Sequence, residues 1–169
     1  MSSTLESIQK LEKNVICPTY ARYPLFVERG QGARLYGPQG REYVDFLSGI
    51  AVCNLGHCHP DLTRTIQEQA ARLVHTSNLF YEQNQLDLAK RLLQTCALER
   101  VFFCNSGAEA NEAAIKVARR YMHKVKNEDR HELITLEGSF HGRTLATLTA
   151  TGQPKVKEGF EPLPSGFRI

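Results

Sequence analysis

Nothing in this 169-residue chain approaches 18 consecutive apolar residues, so the sequence offers no membrane-spanning helix. It also lacks any C-x-x-C pair. The five cysteines, Cys17, Cys53, Cys58, Cys96 and Cys104, are odd in number and scattered, which argues against a disulfide framework and suits a reducing, cytoplasmic setting. Charge of one sign is equally scarce. The net charge of +3 is dispersed, and no basic run carries interleaved aromatics, so nucleic acid is not an expected partner. Residues 1–16 are polar and mixed in charge, unlike a signal peptide. Two nucleotide-binding patterns are missing as well: there is no G-x-x-x-x-G-K-[ST] run and no G-x-G-x-x-G opening a helix.

What is present has the balance of a globular protein, 41% hydrophobic and 23% charged, with enough length for a sizeable core. Its most informative stretch runs from Val101 to Val125. Val-Phe-Phe-Cys (101–104) reads as a buried strand, Asn105-Ser106-Gly107 as a tight turn, and the Ala- and Glu-rich residues that follow as a strong helix. A helix start leaves backbone N–H groups unpaired and carries a partial positive charge, so it receives an anion well, above all a phosphate. The plain alternative is a turn glycine with Ser106 as N-cap. The cluster Cys53-Asn-Leu-Gly-His57-Cys58-His59-Pro60 has the residue types of a metal site. Those ligands crowd too closely for tetrahedral zinc, and no second cluster completes them. No metal is expected, and a tight loop entering a helix is the better reading.

Elsewhere, Ser3-x-x-Glu6 fits a capping box ahead of a short helix ending near Val15. Segments at 25–29, 33–36 and 42–47, punctuated by glycines, predict a small antiparallel meander. Pro60 opens a helix, a second runs from about Asn84 to Cys96, and Leu133-Ile-Thr-Leu is a further buried strand. Strands alternating with helices imply an α/β fold with a parallel sheet, whose ligands gather beyond the strand carboxyl ends. Ser106, Gly107 and Ala108 then share a rim with Phe140 and Arg143. An aromatic face can stack on a planar heterocycle, and a guanidinium can grip a carboxylate. Phe140 can equally be core, and Arg143 can equally cap or pair locally. His141 reads as a turn residue. The tail from Phe160 completes no element, and two strands cannot build a stable open sheet, so the chain reads as the front part of something longer.

Several stretches resemble the class III (subgroup II) pyridoxal-phosphate aminotransferases, and among them the acetylornithine branch. They are Gly40-Arg-Glu-Tyr-Val-Asp-Phe-Leu-Ser-Gly-Ile-Ala-Val, Leu55-Gly-His-Cys-His-Pro, His75-Thr-Ser-Asn-Leu-Phe-Tyr, Phe103-Cys-Asn-Ser-Gly-Ala-Glu-Ala-Asn-Glu-Ala-Ala-Ile-Lys, Ser139-Phe-His-Gly-Arg-Thr-Leu-Ala-Thr-Leu and Glu158-Gly-Phe-Glu-Pro-Leu-Pro. The resemblance spans residues 15–169. It implies the type I (aspartate aminotransferase-like) fold, with 1–55 an N-terminal segment carrying the meander and 56–169 the first part of the cofactor-binding large domain.

It further implies that Ser106, Gly107 and Ala108 hold the phosphate of pyridoxal 5'-phosphate and that Phe140 lies against its ring. Arg143 would bind a carboxylate of N2-acetylornithine or of glutamate/2-oxoglutarate, with Tyr20 on the substrate side. Thr76-Ser77-Asn78 would lie near a homodimer interface, and Ile50 stands where ornithine enzymes carry tyrosine. The lysine that the family joins to its cofactor as a Schiff base, and the aspartate paired with the pyridine nitrogen, fall beyond residue 169. No residue of this chain is therefore expected to be catalytic, and the chain alone is expected to be inactive. The alternatives are the ornithine, succinylornithine or 4-aminobutyrate branches, or a non-catalytic truncated dimerisation module.

Overall fold

Thr4 starts the described part of the chain: the computed structural model describes residues 4–169. The Thr4 hydroxyl accepts a hydrogen bond from the Ser7 amide and caps α1 (Leu5–Val15). The expected cap, Ser3, lies outside the described residues. Three short antiparallel strands follow, β1 (Arg29–Gln31), β2 (Arg34–Tyr36) and β3 (Glu42–Val44), in the order β1-β2-β3. The meander is as expected, but its first strand begins four residues later than the alternation suggested. Pairing of Gln31 with Arg34 leaves the two-residue loop Gly32-Ala33, and Gly32 supplies the positive φ of 55° that the turn needs. The turn, rather than the apolar run at 25–29, sets the register.

After β3 the chain makes a left-handed turn, α2 (Ser48–Ala51), in which Ser48, Gly49, Ile50 and Ala51 all have positive φ. Three of the four carry a Cβ, and that conformation costs such residues about 1–2 kcal/mol each. Asp45 holds the turn in place. Its Oδ1 accepts hydrogen bonds from the Leu47 and Ser48 amides (2.8 and 3.0 Å), and its Oδ2 meets His57 Nε2 at 2.6 Å. His57 is tied to Gly32 by a reciprocal pair of main-chain hydrogen bonds, both 2.8 Å. The imidazole lies so close over Gly30 that a Cβ there would stand 2.7 Å from the ring. One histidine thus connects the tip of the meander to the turn. Helix α3 (Pro60–Arg72) begins with Pro60 in its first turn, where the missing N–H costs nothing.

Residues Met1–Tyr81 and Glu82–Ile169 form two compact units. The second starts with α4 (Gln83–Leu93) and contains α5 (Gly107–Tyr121), β4 (Leu133–Ile134), α6 (Leu145–Ala150) and β5 (Phe167–Arg168). Past Tyr121, α5 widens into a π turn (Met122–Lys126) and stops where Asn127 takes the left-handed conformation, with φ at 53°. The sheet differs from expectation. Val101–Cys104 forms no strand and belongs to no ladder among the described residues, whereas the tail strand β5 pairs in parallel with β4. An apolar run specifies an extended backbone, but only a neighbour makes it a strand. The small core of this unit comprises Ile115, Leu148 and Ala150, with Thr147 and Thr151 fully buried beside them. Among the described residues no helix is long and apolar enough to cross a membrane.

Candidate functional site

The start of α5 is built from its own side chains. Ser106 Oγ accepts the Glu109 amide at 3.2 Å, and the Glu109 carboxylate reaches back to the main-chain and side-chain N–H groups of Asn105. This is a reciprocal cap of the capping-box type, offset by one residue, and it uses up the only acidic group in the first turn. The Ala110 amide closes on the Ser106 carbonyl at 3.0 Å. That leaves the Gly107 and Ala108 N–H groups with no hydrogen-bond acceptor among the described residues. A Cβ added to Gly107 would meet nothing within 4 Å, so the approach to these amides is open. Two free donors, a positive helix end and no bulky group in front of them are the features that a phosphate-sized anion would need.

The loop after β4 is pressed against this helix start. A Cβ on Gly142 would stand 2.7 Å from Ala108 Cβ and 2.6 Å from Thr147 Oγ1. Gly142 also has a φ of 134°, so both the space and the backbone require glycine. Through this contact the loop that carries Phe140 and Arg143 touches α5 at Ala108. The expected link was a shared sheet rim, and the observed one is direct packing of the loop on the second residue of the helix. Phe140 is 57% exposed, so it is not a core residue, and the Arg143 guanidinium lies 5.9 Å from its ring centroid. Arg143 itself is exposed and makes no ion pair among the described residues. The loop that touches Ala108 thus carries an exposed ring and a guanidinium without an ion pair among the described residues. His141 instead lines an apolar cleft with Ile115, Leu133 and Phe167, a packing position.

Tyr20 belongs to the other compact unit. It follows α1, is 71% exposed, and lines a shallow groove with Glu12, Ile16 and Arg22. In the cysteine–histidine cluster, His57 Nε2 is engaged by Asp45. Sequence reasoning missed Asp45 and the pair Asn111 and Glu112. Asn111 Nδ2 donates to the His141 carbonyl at 2.8 Å, and Glu112 Oε1 accepts from the Thr144 hydroxyl. The only sequence signal for the latter two is their placement three and four residues after Ala108 on one helical face.

Residues 16–169 match the family model of the class-III aminotransferases. The chain is 51% identical over 166 residues to an acetylornithine aminotransferase of Myxococcus xanthus, covering 98% of this chain and 41% of the relative. Among solved structures it is similar to an N-acetylornithine aminotransferase of Stenotrophomonas maltophilia K279a, with 47% identity, a TM-score of 0.68, and coverage of 79% of this chain and 35% of that one. It is also similar to an ornithine aminotransferase of Toxoplasma gondii, whose active site holds PLP at partial occupancy. That likeness has a TM-score of 0.90 at 30% identity and covers 98% of this chain and 39% of the other. The chain spans about two fifths of the length of these relatives.

Proposed function

The chain belongs to the class-III aminotransferases, and from that premise we propose that the whole protein transfers the amino group of N2-acetyl-L-ornithine to 2-oxoglutarate, a step of arginine biosynthesis. Its fold is the N-terminal portion of the type I fold of pyridoxal-phosphate-dependent transferases. The observation that supports the reading is the contact of Gly142 with Ala108, which joins the loop carrying the Phe140 ring and the Arg143 guanidinium to the helix whose first two amides are unpaired. Phosphate, planar ring and carboxylate are the three groups such a site would receive together. The residues present fit pyridoxal 5'-phosphate.

In this reading the Gly107 and Ala108 amides donate to the cofactor phosphate, and the Ser106 hydroxyl, whose oxygen already accepts from the Glu109 amide, donates a hydrogen bond to the same anion. Phe140 packs against the ring and keeps water off one face. Arg143 binds a substrate carboxylate, for which its planar fork is suited, and so orients the substrate toward the ring. Tyr20 is carried over on the substrate side by resemblance. When bound, the cofactor supplies an aldehyde that carries amino groups and a ring that withdraws electrons from the reacting carbon. We assign residues 1–55 to the N-terminal segment and 56–169 to the first part of the cofactor-binding domain. A homodimer in the cytoplasm, with Thr76-Ser77-Asn78 near its interface, completes the proposal.

The test is a comparison of amino donors in the whole protein loaded with pyridoxal phosphate. N2-acetylornithine is expected to give the highest kcat/KM among acetylornithine, succinylornithine, ornithine and 4-aminobutyrate. A protein for which acetylornithine is the poorest donor belongs to another branch. A protein that retains no pyridoxal phosphate is not an aminotransferase.

A further inference from the structure

Three residues of α5 grip the loop that follows β4, and they do so at alternating points. Asn111 Nδ2 donates to the His141 carbonyl at 2.8 Å. Ala108 meets Gly142 at a distance that leaves no room for a Cβ. Glu112 accepts from the Thr144 hydroxyl, which also lies 2.7 Å from Thr147 Oγ1. Residues 108, 111 and 112 share one face of the helix, so the grip runs along a single stripe. The far side of the same loop is fixed too: the His141 amide donates to Thr151 Oγ1 at 3.0 Å, and that hydroxyl donates to the Thr147 carbonyl at 2.9 Å. Residue 141 therefore has both of its peptide groups held by side chains. Between the anchored residues 141, 142 and 144 stands Arg143, whose guanidinium is engaged only with the Phe140 ring among the described residues.

We propose that Asn111 and Glu112 are positioning residues that fix where Arg143 stands relative to the free amides of Gly107 and Ala108, and so set the carboxylate-binding geometry of the site. The inference rests on the functional reading above. The helix that seats the phosphate also aims the arginine, which makes the distance between the two anion sites a rigid property of α5 and not of a mobile loop. Loss of either anchor leaves the phosphate amides in place, since those are held by the Ser106–Glu109 cap. It leaves Arg143 free to sample positions in which a carboxylate cannot be gripped. The expected signature is selective: carboxylate binding weakens while phosphate binding does not.

The test measures two dissociation constants in the whole protein, for pyridoxamine phosphate and, in the protein loaded with pyridoxal phosphate, for glutarate, read from the shift it causes in cofactor absorbance. Glu112→Ala and Asn111→Leu are expected to weaken glutarate by about tenfold, the loss of one hydrogen bond's worth of positioning. Pyridoxamine phosphate is expected to change by less than about twofold. Glu112→Gln keeps an acceptor for the Thr144 hydroxyl and is expected to stay close to the parent. Equal weakening of both ligands, or no weakening of glutarate, overturns the proposal. If the parent binds no pyridoxamine phosphate, the functional reading fails on its own account. The mobility of the Arg143 guanidinium, read by NMR relaxation, then decides the clamp: greater mobility in Asn111→Leu supports it, and unchanged mobility overturns it.

Discussion

Asp45 shows how much one side chain can organise. Its carboxylate, 7% exposed, is held below its ordinary value of 3.8, chiefly by the hydrogen bond with His57 and then by the Leu47 and Ser48 amides. A carboxyl group whose pKa is depressed by folding stabilises the folded form above its unfolded value. That contribution disappears as the pH falls through the lower, folded value. The turn at Ser48–Ala51 is therefore expected to loosen only in acid below about pH 4. Amide exchange at Leu47 and Ser48, followed from pH 6 downward, checks this, and Asp45→Asn is expected to show fast exchange at every pH. At this scale the sequence was only partly legible. The reach of Ser106 to the helix start is local and could be read from spacing. The Asp45–His57 bond joins residues twelve positions apart, and the same histidine had the look of a metal ligand.

Elements follow the same division. The helices are written in short-range signals: apolar periodicity for α4, Pro60 for the start of α3, and acidic-first, basic-last charge for α5. The strands depend on partners, and there the expectation failed. Val101–Cys104 has the burial alternation of a strand without a ladder, while Phe167–Arg168, which carries no pattern, pairs with Leu133–Ile134. Arg119 helps to hold that pair together. Its Nε donates to the His131 carbonyl (3.2 Å), its Nη2 to the Ser165 carbonyl (3.3 Å), and its guanidinium lies 5.4 Å from the Phe167 ring centroid. Besides placing positive charge in the last turn of α5, it is a bracket across β4 and β5. Arg119→Ala is expected to cost about 1–3 kcal/mol of local stability. The readout is faster exchange of the Leu133 and Thr135 amides, which donate to Gly166 and Arg168.

For the molecule as a whole, the balance of covered and bare surface decides behaviour. The accessible area is 14653 Å² for 19.1 kDa. Even two separate compact domains of half that mass would together expose only about 10,000 Å². The surplus is in good part apolar: Phe102, Ile134 and Leu136 are all more than 70% exposed, and only Ile115, Leu148 and Ala150 are buried apolar residues among those described. Bare strand edges and apolar faces of this kind recruit other chains. The 169-residue chain on its own is expected to self-associate broadly and to melt without a sharp transition. Size-exclusion chromatography with light scattering and a calorimetric scan check both, and a discrete, cooperatively melting dimer would instead favour a stand-alone dimerisation module.

The turn at Ser48–Ala51 winds against the chirality of the residues that form it. Its hand is imposed from outside, by a carboxylate three residues upstream, and is no preference of its own. Mirror-image amino acids placed at Ser48, Ile50 and Ala51 would be at ease where the natural ones are not. Ile50 is thus presented by a piece of backbone that stays wound only while its neighbour holds it.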